Sequence, residues 1–307
     1  LNYVLAVAQA QNFTKAAQKV FVTQPTLSMQ IQKLEDELDI QIFDRGKKPI
    51  ELTDVGRKIV AQARNIVNES DRIKDIVDQQ KGYIGGEFKI GVIPTIMPTL
   101  LPMFLSNFTK KYPKVKLSIE ELHTEAIIEQ LKEGHIDAAI AATPLEDEEI
   151  KERVLYFEPF VGYVPNNHRL QGKTKIDPTD LDVEDILLLQ DGHCFKDGIL
   201  NLCKMADRYE EDRFSLQSGS FETLIKLSNE GLGMTLLPYL HTLDLRDQDK
   251  SHLRMFTDPI PAREVSIIYH KSELKMQIIE ALQSVIAGVV KGAITFQNVQ
   301  IISPISK

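Results

Sequence analysis

Residues 13–43 read FTKAAQKVFVTQPTLSMQIQKLEDELDIQIF and carry two helical patterns with a tight break between them. Ala16, Ala17 and Val20 give the first helix a small apolar face. Phe21-Val22-Thr23 makes the break, and Thr23 is placed to N-cap a second helix with Pro25 in its first turn, where a missing N–H costs nothing. Leu27, Ile31, Leu34 and Leu38 fall on one stripe of that helix by the three-four spacing. Its other side and N-terminal end carry Gln24, Pro25, Thr26, Ser28, Met29, Gln32 and Lys33, mostly short uncharged hydrogen-bonding groups suited to base edges, with Lys33 further along for a phosphate. IFDRGKKPIELT (42–53) follows as two short extended pieces around Arg45, Gly46, Lys47 and Lys48, a cationic wing. A helix–turn–helix with a basic wing is a DNA-binding unit, although a small helical hairpin with a solvated charged loop has the same periodicity.

Resemblance separates the two. Residues 13–60 resemble the winged helix–turn–helix of LysR-type transcriptional regulators in the alanine pair, the TQPTLS recognition helix, the LEDELDIQIF stretch (34–43), the wing arginine and LT-x-x-G at Leu52, Thr53 and Gly56. The pattern departs at Asp39, where that family commonly has Gly. The expected head is 1–58, with the helix–turn–helix at about 13–32, and its expected DNA-facing residues are Thr23, Gln24, Pro25, Thr26, Ser28, Met29, Lys33, Arg45 and Lys47. The resemblance implies double-stranded operator DNA as partner, and RNA polymerase as a further one.

From Asp54 to about Gln80 the sequence predicts one long helix without proline. Ile59, Ile66 and Ile73 recur every seven residues, and Ala63, Ser70 and Val77 follow each by four. A seven-residue apolar repeat is a seam for a partner helix, so Ile59, Ala63, Ile66, Ile73 and Val77 are expected to pair with a second copy; a core helix of one domain is the alternative. LysR-type regulators are similar in dimerising through this linker, and residues 59–85 are assigned to it and to the hinge KGYIGG (81–86).

At 307 residues, with 43% apolar and 26% charged residues, the chain has room for two or three cored domains, and no run approaches the roughly 18 apolar residues of a membrane span. The first residues, LNYVLAVAQAQNFTKAAQ, lack the cationic start and cleavage pattern of an export signal, so a cytoplasmic location and no membrane contact are expected; Leu1 stands where a Met would be if no short leader were missing. Residues 1–58 hold eight Lys/Arg against seven Asp/Glu, a net +1 that leaves −9 of the total −8 on the rest. A mildly cationic head on an acidic body suits an N-terminal polyanion contact.

From residue 87 strands and helices alternate: EFKIGVI, LPMFLSNFTKKYP, VKLSIEEL, TEAIIEQLKEGH and DAAIAATP predict a βαβαβ order and a parallel sheet covered on both faces. VGYVP, DILLLQ, ETLIKLSNEG, GMTLLP and VSIIYH continue the pattern, with a closing helix from Glu273 to about Ala287. The expected fold class is α/β: winged helix–turn–helix, linker helix, then a two-lobed periplasmic-binding-protein-like regulatory domain over 86–307, with lobe I at about 86–160 and 263–290 and lobe II at about 161–262. Gly231-Leu232-Gly233 lacks the third glycine of a dinucleotide loop and reads as a turn; the tail from 292 has no assignment. No GxxxxGK[ST], HExxH or GxSxG occurs, and neither enzyme activity nor a cofactor is expected.

The only two cysteines, Cys194 and Cys203, lie in DGHCFKDGILNLC (191–203). Their spacing of nine, without CxxC, makes a poor metal site, and none is assigned. Burial as small hydrophobes suits Cys203, which shares a helical stripe with Ile199 and Leu202, better than Cys194, whose neighbours His193 and Lys196 and a following helix start each favour a thiolate. If 197–203 is helical, six residues at roughly 1.5 Å each span some 9 Å, beyond the roughly 7 Å that a disulfide tolerates between Cα atoms, so a bridge would require unwinding.

LLLQDGHCFKDGILNLC is similar to the redox loop of the peroxide-sensing, OxyR-like branch of the LysR family, as are IGVIPT (90–95), SFETL (220–224) and GLGMTLLP (231–238). The resemblance implies that hydrogen peroxide is the signal, Cys194 the reactive and Cys203 the resolving cysteine, that Thr95, Thr124, His193 and Asp197 line the peroxide pocket, and that the chain acts as a homodimer or homotetramer. Helix capping is the bland reading of both threonines. DRFSLQSGS (212–220) departs from the family's FRATS wording. A metabolite-responsive LysR-type regulator with incidental cysteines, a thiol peroxidase and a periplasmic solute-binding protein are the competing readings; the last two leave the head unexplained.

Overall fold

The computed structural model describes residues 1–80, 84–190, 194–203, 219–294 and 298–305. Two compact units emerge, Leu1–Tyr83 and Ile84–Lys307. Of the hinge expected at 81–86, residues 81–83 lie outside the described residues.

In the first unit, α1 (Asn2–Ala10), α2 (Phe13–Lys19) and α3 (Gln24–Leu38) precede a two-stranded antiparallel wing, β1 (Phe43–Asp44) and β2 (Glu51–Leu52), and α4 (Asp54–Gln80). Val4, Val7, Ala16, Ala17, Leu27, Ile31, Ile42, Phe43 and Val60 form the core. The alanine pair is completely covered, because small side chains let the neighbouring helices close on it. Leu38 departs from the expected stripe: it is 45% exposed, and the buried place beyond Ile31 belongs to Glu35. Asp39 takes the left-handed conformation (φ 50°) usual for a C-terminal glycine, and its N–H closes the helix on Glu35 and Asp36 carbonyls. Gly56 is required, since a Cβ there would sit 2.0 Å from the Ile42 carbonyl oxygen.

The second unit runs β3 (Gly86–Val92), α5 (Met97–Lys111), β4 (Val115–Glu121), α6 (Thr124–Lys132), β5 (Ala138–Thr143), β6 (Ile150–Tyr163), β7 (Lys175–Ile176), α7 (Cys194–Cys203), α8 (Phe221–Asn229), β8 (Thr235–Pro238), α9 (Tyr239–Leu243), α10 (Asp247–Lys250), β9 (Leu253–Phe256), β10 (Ile260–His270), α11 (Met276–Val290) and β11 (Val299–Ile301). The expected parallel sheet holds for β3 with β4 and β5, but β10 runs antiparallel to both β5 and β6, so the sheet is mixed. DILLLQ (185–190) is not a strand; Ile186 alone makes a bridge, to Met234, while Leu187, Leu188 and Leu189 are buried. The tail contributes β11, parallel to β10.

Two cores share the long strands. Ile150, Leu155 and Tyr156 of β6 and Val265, Ile267 and Ile268 of β10 belong to one; Phe160 and Tyr163 of β6 and Ile260 of β10 belong to the other. Two lobes therefore meet where β6 and β10 pass from one core to the next. No helix among the described residues is long and apolar enough to cross a membrane.

Candidate functional site

Helix α7 starts in that seam. It begins at Cys194 itself, three residues before the expected start, and Cys194 packs into the first core while Phe195, Ile199 and Leu202 pack into the second. Phe195 anchors the turn, with ring centroids 5.1 Å from both Phe160 and Phe221. Both cysteines are free thiols. Nine helical steps separate their Cα atoms by about 13 Å and, at two and a half turns, put them on opposite faces. A disulfide tolerates roughly 7 Å.

The two thiols have unlike surroundings. Burial pushes the Cys194 thiol up; the Arg263 guanidinium, the Thr124 hydroxyl and the Ala142 backbone N–H pull it back, and Asp197 adds to the rise. The Thr124 hydroxyl leans toward the sulfur without closing a hydrogen bond of normal geometry, and its buried oxygen has no other partner among the described residues. Burial pushes Cys203 up to about 12, and Asp182 and Asp185 push in the same direction. Among the described residues, groups arranged to favour a thiolate stand at Cys194, whereas those around Cys203 oppose one.

Arg263 is the functional residue that the sequence reading misses. It lies opposite Glu158 in the β10–β6 ladder, and both are buried. Its Nε and Nη2 donate to Glu158 Oε2 at 2.9 and 2.7 Å, its Nη1 to Thr95 Oγ1 at 2.8 Å and its Nη2 to Thr95 O at 3.1 Å. Glu158 Oε1 accepts from the Leu240 N–H at 2.9 Å. The guanidinium stands 5.2 Å from the centre of the Phe195 ring, next to Cys194. A charge surrounded by partners in this way is fixed, and it pulls the Cys194 thiol down. Its signal in sequence is charge inside each of two otherwise apolar strands, Glu158 in FEPFVGY and Arg263 in IPAREVSII.

The structure thus brings Thr124 and Asp197 to Cys194, and Thr95 to it through Arg263. Neither threonine caps a helix: Ile96 and His123 hold the N-cap positions of α5 and α6, without side-chain cap bonds. His193 and residues 212–218 lie outside the described residues.

In the head, Thr23 caps α3, its Oγ1 accepting from the Thr26 N–H, and Gln24, Pro25, Thr26, Met29 and Lys33 are exposed together on that helix. Several of the expected DNA-facing groups are engaged within the head. Arg45 donates to Ser28 Oγ at 3.1 Å and to Glu35 Oε2 at 2.8 Å, and lies over the Phe13 ring. Buried Glu35 also accepts from the Ile42 and Phe43 N–H groups at 2.7 and 3.2 Å, which fastens the wing to α3. Lys47 pairs with Glu51 at 2.6 Å in the exposed wing. Along α4 the expected seam divides: Ile59 packs on the head core and Ala63 is covered, whereas Ile66, Ile73 and Val77 are exposed at 49, 63 and 45%. The α4 start lies against α1, so the first turns of the stripe are covered inside the head.

Two family models divide the chain at nearly the same place as its folded units. Residues 1–57 match the bacterial regulatory helix-turn-helix protein, lysR family, and residues 81–289 the LysR substrate binding domain. The chain belongs to the LysR family. Among LysR relatives, it is 34% identical over 269 residues to a hydrogen peroxide-inducible genes activator of Pectobacterium carotovorum, covering 88% of each chain. It is 32% identical, with the same coverage, to the DNA-binding transcriptional dual regulator OxyR of Escherichia coli K12. A full-length OxyR variant from Pseudomonas aeruginosa superposes with a TM-score of 0.76 at 33% identity, covering 93% of this chain and 96% of the other. The chain is an OxyR-like LysR regulator in sequence and in fold.

Proposed function

We propose that this LysR-type regulator binds operator DNA and responds to hydrogen peroxide through Cys194. One observation carries the reading: a buried cysteine at a helix start, beside a fixed guanidinium and an orphan hydroxyl, with its only possible cysteine partner out of reach on the same helix. Cys194 reacts as the thiolate. Its sulfur attacks one peroxide oxygen, the O–O bond breaks, and the departing hydroxide takes up a proton as water; sulfur is oxidised by two electrons to sulfenic acid. The Thr124 hydroxyl is free to donate to the peroxide, and Arg263 stabilises the thiolate and the leaving charge. Cys203 then attacks the Cys194 sulfur, the S–O bond breaks, and hydroxide leaves with the Cys203 proton as water. Because the helix separates the cysteines, closing the bridge unwinds α7 and repacks the seam between the lobes.

The exposed stripe Ile66, Ile73 and Val77 serves as the seam of a homodimer, and two dimers make the tetramer whose head spacing changes on oxidation. The head contacts DNA through Thr23, Gln24, Pro25, Thr26, Met29 and Lys33, with Lys47 and the remaining donors of Arg45 on the backbone. Footprinting tests this: Cys194→Ser retains DNA binding and loses the peroxide-dependent change completely, whereas an unchanged response in that variant contradicts the proposal. Peroxide consumption limited to about one equivalent separates a sensor from a thiol peroxidase, which turns over.

A further inference from the structure

We propose that the C-terminal segment Asn298–Ile305 is a latch on α7 that releases before the two cysteines meet, and that it sets how fast the oxidised chain converts. The inference rests on the peroxide reading above and concerns the step after sulfenic acid forms.

The segment is fixed at two places. Val299–Ile301 pairs with Ile260–Ala262, and the ladder is extended by the Ile260 N–H to Asn298 O at 3.0 Å and the Ile302 N–H to Ala262 O at 2.9 Å. This pairing ends one residue before Arg263, the guanidinium beside Cys194. Beyond the strand the chain runs over α7. Asn201 Nδ2 donates to both Ser303 O at 2.9 Å and Ile305 O at 2.8 Å. Gly198, three residues earlier on the same face, has Ser303 O within 4.0 Å of where a Cβ would stand. Pro304 is buried, and Ile302 packs on the second core. One side-chain amide thus uses both of its N–H donors on two carbonyls of the tail.

Gly198 and Asn201 lie between the two cysteines, within the residues that must leave the helix if Cys203 is to reach Cys194. Unwinding there moves Asn201 away from Ser303 and Ile305. The Cys203 thiol then gives up its proton, its sulfur displaces hydroxide from the Cys194 sulfenic acid, and water leaves. Both tail bonds break before that exchange, so the latch opposes bridge closure without touching the first oxidation.

The test uses the full-length chain and separates the two steps. Asn201→Leu keeps the side-chain size and removes both donors. Cys194 sulfenic acid, trapped with a dione reagent in a Cys203→Ser background, forms at the same rate within about twofold, whereas bridge closure, followed by quenching and mass spectrometry, accelerates by about tenfold, as expected for two lost hydrogen bonds. Hydrogen exchange on the unsubstituted protein serves independently of any variant's folding: the Ile260 and Ile302 amides lose protection on oxidation. Equal closure rates, or amides that remain protected in the bridged chain, overturn the latch while leaving the peroxide reading standing. An unsubstituted chain that forms no bridge at all overturns both.

Discussion

The two ends of α7 are built differently. At the N-terminal end, Cys194 has a fixed guanidinium, an orphan hydroxyl and a backbone N–H that oppose the effect of burial, against one carboxylate, Asp197, that adds to it. At the C-terminal end, Cys203 has two carboxylates that add to the effect of burial and hold its thiol up at about 12. In the proposed mechanism one end attacks the oxidant and the other stays protonated until it is needed, an order that would rest on the charge placed beside each sulfur rather than on the two residues themselves.

Arg263→Ala tests this contrast most severely. Removing one member of a buried, hydrogen-bonded pair leaves Glu158 uncompensated, which costs about 3–5 kcal/mol in urea denaturation. The double variant with Glu158→Ala loses less than the two single losses together. Oxidation of Cys194 slows in the folded fraction of the Arg263 variant, and an unchanged rate would show that the cation is structural only.

A pH series comes next in size. The Cys194 thiol lies above the ordinary range, so below that range its thiolate fraction, and with it the oxidation rate, rises about tenfold per pH unit between roughly pH 6 and 8. Rapid mixing with limiting peroxide measures this, and a flat profile would mean that the thiolate is already fully formed. The stability effect has the opposite sense. Both thiols are held protonated in the fold, so their contribution is complete below the unfolded cysteine range near roughly 8.5 and is lost as pH rises toward the folded values.

The smallest effect sharpens the other end. Asp182 is exposed, so Asp182→Asn eases the upward push on Cys203 only modestly and speeds bridge closure by about twofold, with the first oxidation unchanged. A large effect on the first step would mean that the two ends are not independent.

Much of this was legible in the residues. The three-four spacing of Leu27 and Ile31, the cap at Thr23 and Pro25, and the alternation after residue 87 each follow from local rules, and those elements form where they are expected except DILLLQ, which is not a strand. What local rules cannot supply is the partner of a buried charge. Glu35 takes a core position because Arg45 and two backbone N–H groups satisfy it, and the same logic hides Arg263, whose partner Glu158 is 105 residues away. The direction of β10 depends on tertiary pairing with β5 and β6, so a parallel sheet read from alternation becomes a mixed one. Ile59 and Ala63 keep the seven-residue repeat but are covered within the head, because periodicity shows which face is apolar and not what covers it. The tail was silent because a three-residue strand has no period to read.

Joining Cys194 to Cys203 is expected to end the helix between them, because α7 holds them too far apart for a bridge. Thiol mapping after one equivalent of hydrogen peroxide, combined with hydrogen exchange on the same sample, tests it directly. The expected result is a Cys194–Cys203 disulfide together with loss of protection at the amides of Asn201, Leu202 and Cys203. A bridged chain in which those amides stay protected, or an oxidised chain with Cys203 still a free thiol, would contradict it.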